Sequence, residues 1–524
     1  MKTSDLHEAG TWLRSSRLLL VLSLGLLAVA LFPLTLARIM PLADYPNHIA
    51  RIYILQHAAQ SPMLARYYIP FIHFQPNLAF DLAVLWLGKL FPLWTAGKIF
   101  AGITFAVIVS GAIALNRVVH GRWSLWPCLT FLLLYNRLFL WGFIGYMFTL
   151  GLALWGLAAW FAVRKRNPAT RIAVGGVFAF AIYIGHLFAF GFYGLVVAVD
   201  FAYRNWARYR TERPAVIREA AVTFAQFVVP LLVFFLVSPT GEAGSLTRWT
   251  SVFRPLTAPF NIVQNYNLPL DVATFLIFCG LFAYLYFRKR LLVPKPLFAA
   301  FLALAAVHLV MPDRLFSSYG ADHRLPIAIA LFAVAVTHPV IRAPRAAAAV
   351  AVGLVGLFLA RTAVIAQVWS RADSVYRPYE EALAKLPQGA RLSAIVMVTG
   401  ATWLPDIPKF EIDCLAIMLR DAFVANVFAY PKDAGQSIAL TPAVLPTQNM
   451  TGYHFSPMDI EYMQDPKSRT YKWRPLRPAE WKYYDYYLIV NPGDFSMPIP
   501  PNIRLQYRGP DFNIYRVDHA ASHS

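Results

Sequence analysis

Charged residues are scarce in this chain: they make up 14% of its 524 residues, whereas a soluble globular protein carries roughly 25%. This scarcity excludes an ordinary soluble protein. Cysteine is also scarce, with three residues in all. Cys128 and Cys279 fall within apolar segments, which leaves Cys414 alone in the more polar C-terminal part. The sequence therefore provides no intrachain disulfide for that part and no metal site built on cysteines.

Hydrophobic residues are correspondingly abundant and make up 58% of the chain. Segments of about 17 to 25 apolar residues, long enough to cross a hydrocarbon core of roughly 30 Å, recur from Leu18 to Trp369 and stop there. The sequence predicts an α-helical polytopic membrane protein with about eleven transmembrane helices over residues 1–369. A small soluble α/β domain is predicted over residues 370–524.

The first apolar segment, Leu18–Ala37, follows Arg14 and Arg17, as the apolar part of a signal peptide would. Its apolar run is longer than the roughly 7 to 15 residues typical of such a peptide. We therefore expect it to be retained as the first transmembrane helix.

The formal charge of +20 comes from basic residues in short clusters between the apolar segments. Short loops rich in lysine and arginine stay in the cytoplasm, so this pattern indicates orientation and not nucleic-acid binding. All the clusters are cytoplasmic if residues 38–92 form an outer loop and the C-terminal domain lies outside. We expect a bacterial inner-membrane protein with a cytoplasmic N-terminus and a periplasmic C-terminal domain. The clusters are Arg14 and Arg17; Arg117 and Arg122; Arg164, Lys165, Arg166 and Arg171; Arg204, Arg208, Arg210, Arg213 and Arg218; Arg288, Lys289, Arg290 and Lys295; and Arg342 and Arg345.

A polar motif, PLADYPNHIAR, follows the first helix directly at residues 41–51. Pro46 disfavours helix at the residue before it and can start the helix that follows, so we expect Asp44 on an extended turn at the membrane surface. His48 and Arg51 should then share one face of that helix. A carboxylate at Asp44 can reach a reacting group just outside the lipid.

This arrangement resembles the C-type (GT-C) superfamily of polytopic membrane glycosyltransferases. In that family the first outer loop carries an acidic residue at its start and continues through amphipathic interface helices. Asp44 matches the acidic position, and Gln60–Leu90 matches the interface helices. The resemblance covers Leu18–Trp369 and extends to a soluble outer domain. It implies neither a particular sugar nor a subfamily.

The resemblance implies transfer of a sugar from a polyprenyl-phosphate carrier to an envelope acceptor. Because the leaving group is already an anionic phosphate, a single base that deprotonates the acceptor hydroxyl is sufficient, and direct displacement then inverts the anomeric centre. Asp44 is the candidate base. The departing phosphate needs fixed cations, for which arginine is better suited than lysine. The candidate substrate-binding residues are His48, Arg51, Arg137, His186, Arg254, Arg314, Asp322, His323 and Arg324.

A divalent metal would be compatible with either of two pairs, Asp44 with His48 or Asp322 with His323. Neither pair has the ligand spacing of a specific metal motif, so no metal ligand is predicted and the cofactor stays open. The expected partners are a polyprenyl-phosphate-linked sugar donor, a glycan, lipid or protein acceptor, and the lipid bilayer. Nucleic acid is not expected.

Each candidate also has a structural interpretation. Asp44 would serve equally as a helix-capping or turn aspartate, and His48 and Arg51 as contacts for lipid headgroups. His186 would serve as a turn histidine, and the charged residues between Asp313 and Arg324 would pair with one another.

The outer domain mixes a helix predicted at Tyr379–Leu386 with strands predicted at Leu392–Val398, Tyr483–Val490 and Phe512–Val517. Its basic and aromatic tract, Tyr471–Trp481, is interpreted as a solvated loop, with binding of the acceptor or of the lipid surface as the alternative.

Two other functions remain open from the sequence. One is a transporter or flippase for a lipid-linked glycan, although the sequence has no evident internal repeat or pair of broken helices in matching halves. The other is a non-catalytic assembly protein for envelope polysaccharide, in which Asp44 would be replaceable.

Overall fold

The computed structural model describes residues 3–236, 247–249, 253–315, 318–341, 343–398, 404–429, 436–449, 454–469, 471 and 474–519. Met1, Arg342 and Ser524 lie outside the described residues, as do Lys472 and Trp473 of the basic and aromatic tract. The predicted sides of the two chain ends therefore stay predictions.

Helices dominate the part of the chain before Trp369. In chain order they are α1 Thr3–Leu31, α2 Tyr45–His57, α3 Pro62–Tyr67, α4 Ala79–Leu87, α5 Leu93–His120, α6 Arg137–Leu140, α7 Ile144–Val163, α8 Pro168–Gly185, α9 Leu187–Asn205, α10 Arg213–Phe224, α11 Val228–Leu236, α12 Arg254–Thr257, α13 Leu268–Phe287, α14 Lys295–Leu309, α15 Ala321–Val336 and α16 Pro344–Trp369. The C-terminal part adds α17 Ala372–Leu383, α18 Leu415–Arg420, α19 Pro457–Gln464 and α20 Pro478–Trp481.

Within the described residues, eight helical segments are long and apolar enough to cross a bilayer. They are Ser16–Thr35, Leu93–His120, Ile144–Val163, Pro168–Gly185, Leu187–Asn205, Arg213–Leu236, Leu268–Phe287 and Arg345–Leu383. Two shorter apolar helices, Trp126–Leu140 and Lys295–Leu309, accompany them. The polytopic α-helical class is confirmed, and the count of eleven crossings stays a prediction.

The first helix packs against the rest of the bundle. Leu26 and Ala30 of α1 are buried in the main hydrophobic core, and the Tyr135 hydroxyl donates to the carbonyl oxygen of Ala30 at 2.8 Å. Deeper in the bundle, α5 and α7 approach closely at Gly111 and Gly151. A Cβ atom at Gly151 would lie 2.7 Å from the backbone nitrogen of Ile108 in α5. Small residues at such crossings let two membrane helices pack backbone against backbone.

The strands belong mostly to the C-terminal domain. In chain order they are β1 Tyr68–Pro70, β2 Leu291–Leu292, β3 Arg314–Leu315, β4 Ser318–Tyr319, β5 His338–Pro339, β6 Arg391–Met397, β7 Phe423–Val424, β8 Ile438–Leu440, β9 His454–Phe455, β10 Tyr486–Val490, β11 Ile503–Arg508 and β12 Phe512–Val517. The main sheet has the order β11-β12-β10-β6-β7, with β9 also paired to β6. Strands β10, β7 and β9 run parallel to β6, and β12 runs antiparallel to β10.

The three strands predicted in this domain correspond to β6, β10 and β12. The sheet that they form with β7, β9 and β11 confirms a small C-terminal α/β domain. The predicted helix begins earlier than expected, at Ala372 instead of Tyr379. Its buried residues Ala372, Tyr376, Tyr379 and Leu383 fall three or four positions apart, so they form one face that packs on the domain core.

Residues 38–92, which we continue to call the outer loop after their predicted position, are joined to the C-terminal domain by a short sheet. Strand β1 of the loop pairs antiparallel with β8, with Tyr68 opposite Leu440. The Tyr68 hydroxyl also accepts from the backbone amide of Val424 at 2.8 Å. The loop therefore lies between the helical bundle and the C-terminal domain, and the motif that begins it lies there too.

Candidate active site

Asp44 immediately precedes α2, and Pro46 lies in its first turn. Proline is tolerated there because the N–H groups of the first turn have no helical acceptor. The expectation of extended backbone at Asp44 is wrong: its φ of −85° and ψ of −1° are close to helical. The Asp44 side chain makes no capping hydrogen bond to the first turn. The carboxylate is therefore not a helix cap, and the interpretation of Asp44 as a turn aspartate stays open.

The backbone around Asp44 is fixed by the turn that follows α6. Ala43 N donates to Leu140 O at 3.0 Å, and Asp44 N donates to Trp141 O at 3.1 Å. Gly142 has a φ of +94°, and a Cβ atom there would lie 2.9 Å from the Cβ of Asp44. Only glycine combines this backbone conformation with so close an approach.

His48 and Arg51 share one face of α2, as the spacing predicts. Arg51 forms a fork with Asp81 of α4, with Nε to Oδ2 at 3.0 Å and Nη2 to Oδ1 at 2.5 Å. Both side chains are 3% exposed, so Arg51 does not contact lipid headgroups. Ser437 of the C-terminal domain donates to the same aspartate. Asp81 therefore joins the loop to the C-terminal domain, and Arg51 holds Asp81 in place.

His48 connects this ion pair to the turn beside Asp44. Its Nδ1 lies 3.0 Å from Nη2 of Arg51, and because arginine can only donate, this nitrogen is the acceptor. Burial lowers the pKa of His48, and the charge of Arg51 lowers it further. The imidazole is therefore neutral near pH 7, and its other nitrogen bonds to the backbone of Gly142.

A second group of predicted residues forms a network around His323. Arg254 donates from Nε to Oδ2 of Asp322 at 2.9 Å, and its Nη2 lies 2.9 Å from Nε2 of His323. Asn261 contacts the opposite nitrogen of that ring at 2.5 Å. Arg137 in turn donates from Nη1 to the Asn261 Oδ1 at 3.4 Å. The pairing predicted within residues 313–324 extends instead to Arg254, from a different segment.

Arg324 lies between this network and Asp44. The residue is 6% exposed, and its guanidinium carbon lies 4.6 Å from the ring centroid of Phe143 and 4.8 Å from that of Phe188. Its charge interacts electrostatically with Asp44 and with Asp322. Arg137, Arg254 and Arg324 all act electrostatically on His323. The structure thus gathers three arginines, one histidine and Asp44 into what we call the arginine cluster.

The two remaining candidates have different surroundings. His186 caps α9, its Nδ1 accepting from Phe188 N at 3.2 Å, and its ring lies 4.9 Å from that of Tyr146. This is the turn histidine of the structural interpretation, placed within electrostatic range of Arg324. Arg314 lies in the β3–β4 hairpin, where its carbonyl oxygen accepts from Arg248 N at 3.1 Å.

Several site residues have no clear signal in the sequence. Trp141 lies beneath two members of the arginine cluster, with its ring 4.9 Å from the guanidinium carbon of Arg137 and 5.1 Å from the ring of His323. Gln264 accepts from Arg137 at 2.8 Å. Neither follows from spacing, because an aromatic or amide residue in an apolar chain is far more often packing or capping than part of a site.

Comparison with known proteins gives a similarity of overall structure. No family model and no curated protein matches the chain. Two crystal structures of ArnT from Cupriavidus metallidurans are similar to it, one bound to undecaprenyl phosphate and one in the apo state. The first is 13% identical with a TM-score of 0.46, covering 96% of this chain and 98% of that chain. The second is 14% identical with a TM-score of 0.45, covering 98% and 99%.

At this level of sequence identity the likeness is one of overall fold alone.

The buried pair of Arg51 and Asp81 gives a prediction about stability. Replacing Asp81 with Asn leaves a buried guanidinium without its counter-charge, so we expect a loss of about 3 to 5 kcal/mol in the free energy of unfolding. The matched control is Glu212→Gln, which breaks a solvent-exposed pair with Arg208 and should leave the free energy of unfolding nearly unchanged. Denaturant unfolding of both variants in the same detergent measures the difference. Equal losses would contradict a structural role for the pair.

Proposed function

We propose that this protein is a membrane glycosyltransferase that transfers a sugar from a polyprenyl-phosphate carrier to an acceptor of the cell envelope. The observation that supports this most is the arginine cluster, which brings Asp44 together with Arg137, Arg254 and Arg324. A lipid phosphate needs fixed cations, and a hydroxyl acceptor needs a base. The cluster offers both within one site.

In the proposed reaction, an oxygen of the acceptor hydroxyl attacks the anomeric carbon while the bond from that carbon to the phosphate oxygen breaks. The hydroxyl proton passes to the Asp44 carboxylate, and polyprenyl phosphate leaves with an additional negative charge. One displacement inverts the anomeric centre. Asp44 suits the role of base because it is only partly buried and its backbone is held by two hydrogen bonds.

The arginines would bind the phosphate and stabilise the charge that develops on it. Arg137 donates to neutral amide oxygens of Asn261 and Gln264, so these hydrogen bonds orient its guanidinium without neutralising it. Arg254 forms an ion pair with Asp322. Arg324, packed between two phenyl rings, is oriented before any ligand arrives. Preorganised cations of this kind lower the cost of charge development in the transition state.

We further propose that the cluster faces the periplasm, as the basic clusters predict. A periplasm-active reporter fused after Ser524 should be active, and the same reporter fused in the loop at Lys165 should be inactive. Activity at Lys165 and not after Ser524 would contradict this orientation and the outer-face site with it.

The alternatives are a transporter or flippase and a non-catalytic assembly protein. Both would use the arginine cluster to bind a lipid phosphate, but neither needs a proton acceptor at Asp44. A substitution that removes the proton acceptor but keeps the shape of the side chain therefore distinguishes an enzyme from both alternatives.

Replacing Asp44 with Asn should reduce sugar transfer by about 10² to 10⁴-fold, the usual contribution of general-base catalysis. Affinity for the donor should persist, because the arginines that hold the phosphate are unchanged. Arg324→Ala should instead weaken donor binding, with Arg38→Ala as the control, since Arg38 is half exposed and paired with Glu380. Transfer and donor affinity are measured on folded protein in nanodiscs. Near-normal transfer by Asp44→Asn would exclude Asp44 as the base.

A second variant tests the position of the same carboxylate. Gly142→Ala puts a methyl group against Asp44 and strains a backbone of φ +94°, so transfer should fall although every polar group of the site is retained. Gly191→Ala in α9 is the control, because a Cβ there meets nothing within 4 Å. Equal activity of the two variants would show that the contact between Gly142 and Asp44 does not matter.

A further inference from the structure

A second polar cluster lies in the C-terminal domain, where it meets the first turns of α2. Glu411, Asp413 and Cys414 are all buried, and one potential ligand atom from each lies within 4.8 Å of the others. Glu411 is also held in a left-handed backbone conformation, with a φ of +52°. Three acidic or thiol groups gathered in the protein interior need an explanation, because burying carboxylates together is costly.

The partners of Asp413 do not offset that cost. They are the backbone amides of Asp413 and Cys414 and the side-chain amide of Asn426, all of them neutral. Cys414 is likewise buried beside them.

Asn426 supplies an independent observation at the same place. Its Nδ2 donates to Oδ2 of Asp413 at 3.1 Å, while its Oδ1 is buried and accepts no hydrogen bond. Exchanging the two ends of the amide does not help, because an oxygen would then face the carboxylate and the amino group would lose its acceptor. The residue is 6% exposed. The side-chain amide that bonds to Asp413 therefore carries one buried oxygen without a hydrogen-bond partner, and such an oxygen is a suitable ligand for a hard cation.

We propose that Glu411, Asp413 and the side-chain oxygen of Asn426 bind a divalent cation of the class that prefers oxygen ligands, such as Mn²⁺ or Mg²⁺. A cation there would neutralise the paired carboxylates and satisfy the amide oxygen. The thiol of Cys414 is not needed as a ligand, since such cations prefer oxygen to sulfur.

The proposed site is connected to α2 by Asn47. The Asn47 Nδ2 donates to Oε2 of Glu411 at 3.0 Å, and its Oδ1 accepts from the backbone amide of Phe428 at 3.0 Å. Asn47 is one turn along the chain from Asp44, and the charge of Asp44 acts on Cys414. A cation bound here would fix the C-terminal domain against the start of α2. Its role is to position the helix, not to take part in transfer.

The test uses Mn²⁺ itself. Full-length protein in detergent is stripped with a chelator, and Mn²⁺ binding is measured by the loss of the free Mn²⁺ signal in electron paramagnetic resonance. We expect one equivalent bound and a melting temperature that rises with Mn²⁺ concentration. Asp413→Asn should weaken Mn²⁺ binding by at least about tenfold. Loss of a residue that only bonds to a metal ligand already costs about 10- to 100-fold in affinity, and Asp413 is proposed as a ligand itself.

Asp421→Asn is the matched control, because Asp421 is another carboxylate of this domain that bonds to the outer loop, through Tyr53 and Ser61. It should leave Mn²⁺ binding unchanged.

Asn426→Asp keeps the proposal testable even if Asp413→Asn does not fold. A third carboxylate should tighten Mn²⁺ binding while lowering the melting temperature of the cation-free protein. The proposal fails if the wild-type protein binds no Mn²⁺, or if Asp413→Asn and Asn426→Asp bind it as the wild-type protein does. Zinc binding that depends on Cys414 and not on Asn426 would overturn the oxygen-ligand assignment. Because the readout is binding and melting, neither result bears on the proposed transferase activity.

Discussion

The contact of one short segment, Arg137–Phe143, with the start of α2 determines the geometry of the whole candidate site. Its carbonyl groups at Leu140 and Trp141 hold the backbone of Ala43 and Asp44. Its rings at Trp141 and Phe143 lie against Arg137, His323 and Arg324. A single segment therefore touches the carboxylate and most of the cations. A Cβ atom at Gly142 would lie 2.9 Å from the Cβ of Asp44, so the two residues are already in close contact. Asp44 therefore cannot move closer to this segment without a steric clash.

The outer loop has a second constraint on its opposite side. Asn47 bonds to Glu411, Asp81 accepts from Ser437, and β1 pairs with β8, so three separate contacts join the loop to the C-terminal domain. The start of α2 is thereby held between the helical bundle and the domain. A carboxylate positioned from both sides loses little freedom when a substrate binds, which is what preorganisation of a catalytic group requires.

The sequence predicted the elements of this arrangement better than their contacts. Long apolar runs indicated the helices, and short apolar runs rich in β-branched and aromatic residues indicated β6, β10 and β12, because both signals are local. The motif at residues 41–51 located the outer-loop part of the site for the same reason. The partner of Arg51 did not follow from the sequence: Asp81 is thirty residues away, and its pairing depends on how α2 and α4 pack. Glu411 and Asn426 were still less visible, since they approach α2 only when the C-terminal domain folds over the loop.

The donor proposed for the arginine cluster is a sugar attached to a polyprenyl-phosphate carrier. The most direct test offers purified protein in nanodiscs a sugar on a polyprenyl-phosphate carrier and, separately, the same sugar as a nucleotide conjugate. The account predicts that only the lipid-linked sugar is turned over and that its polyprenyl phosphate is released in step with transfer. Turnover of the nucleotide sugar in the absence of any lipid carrier would contradict it.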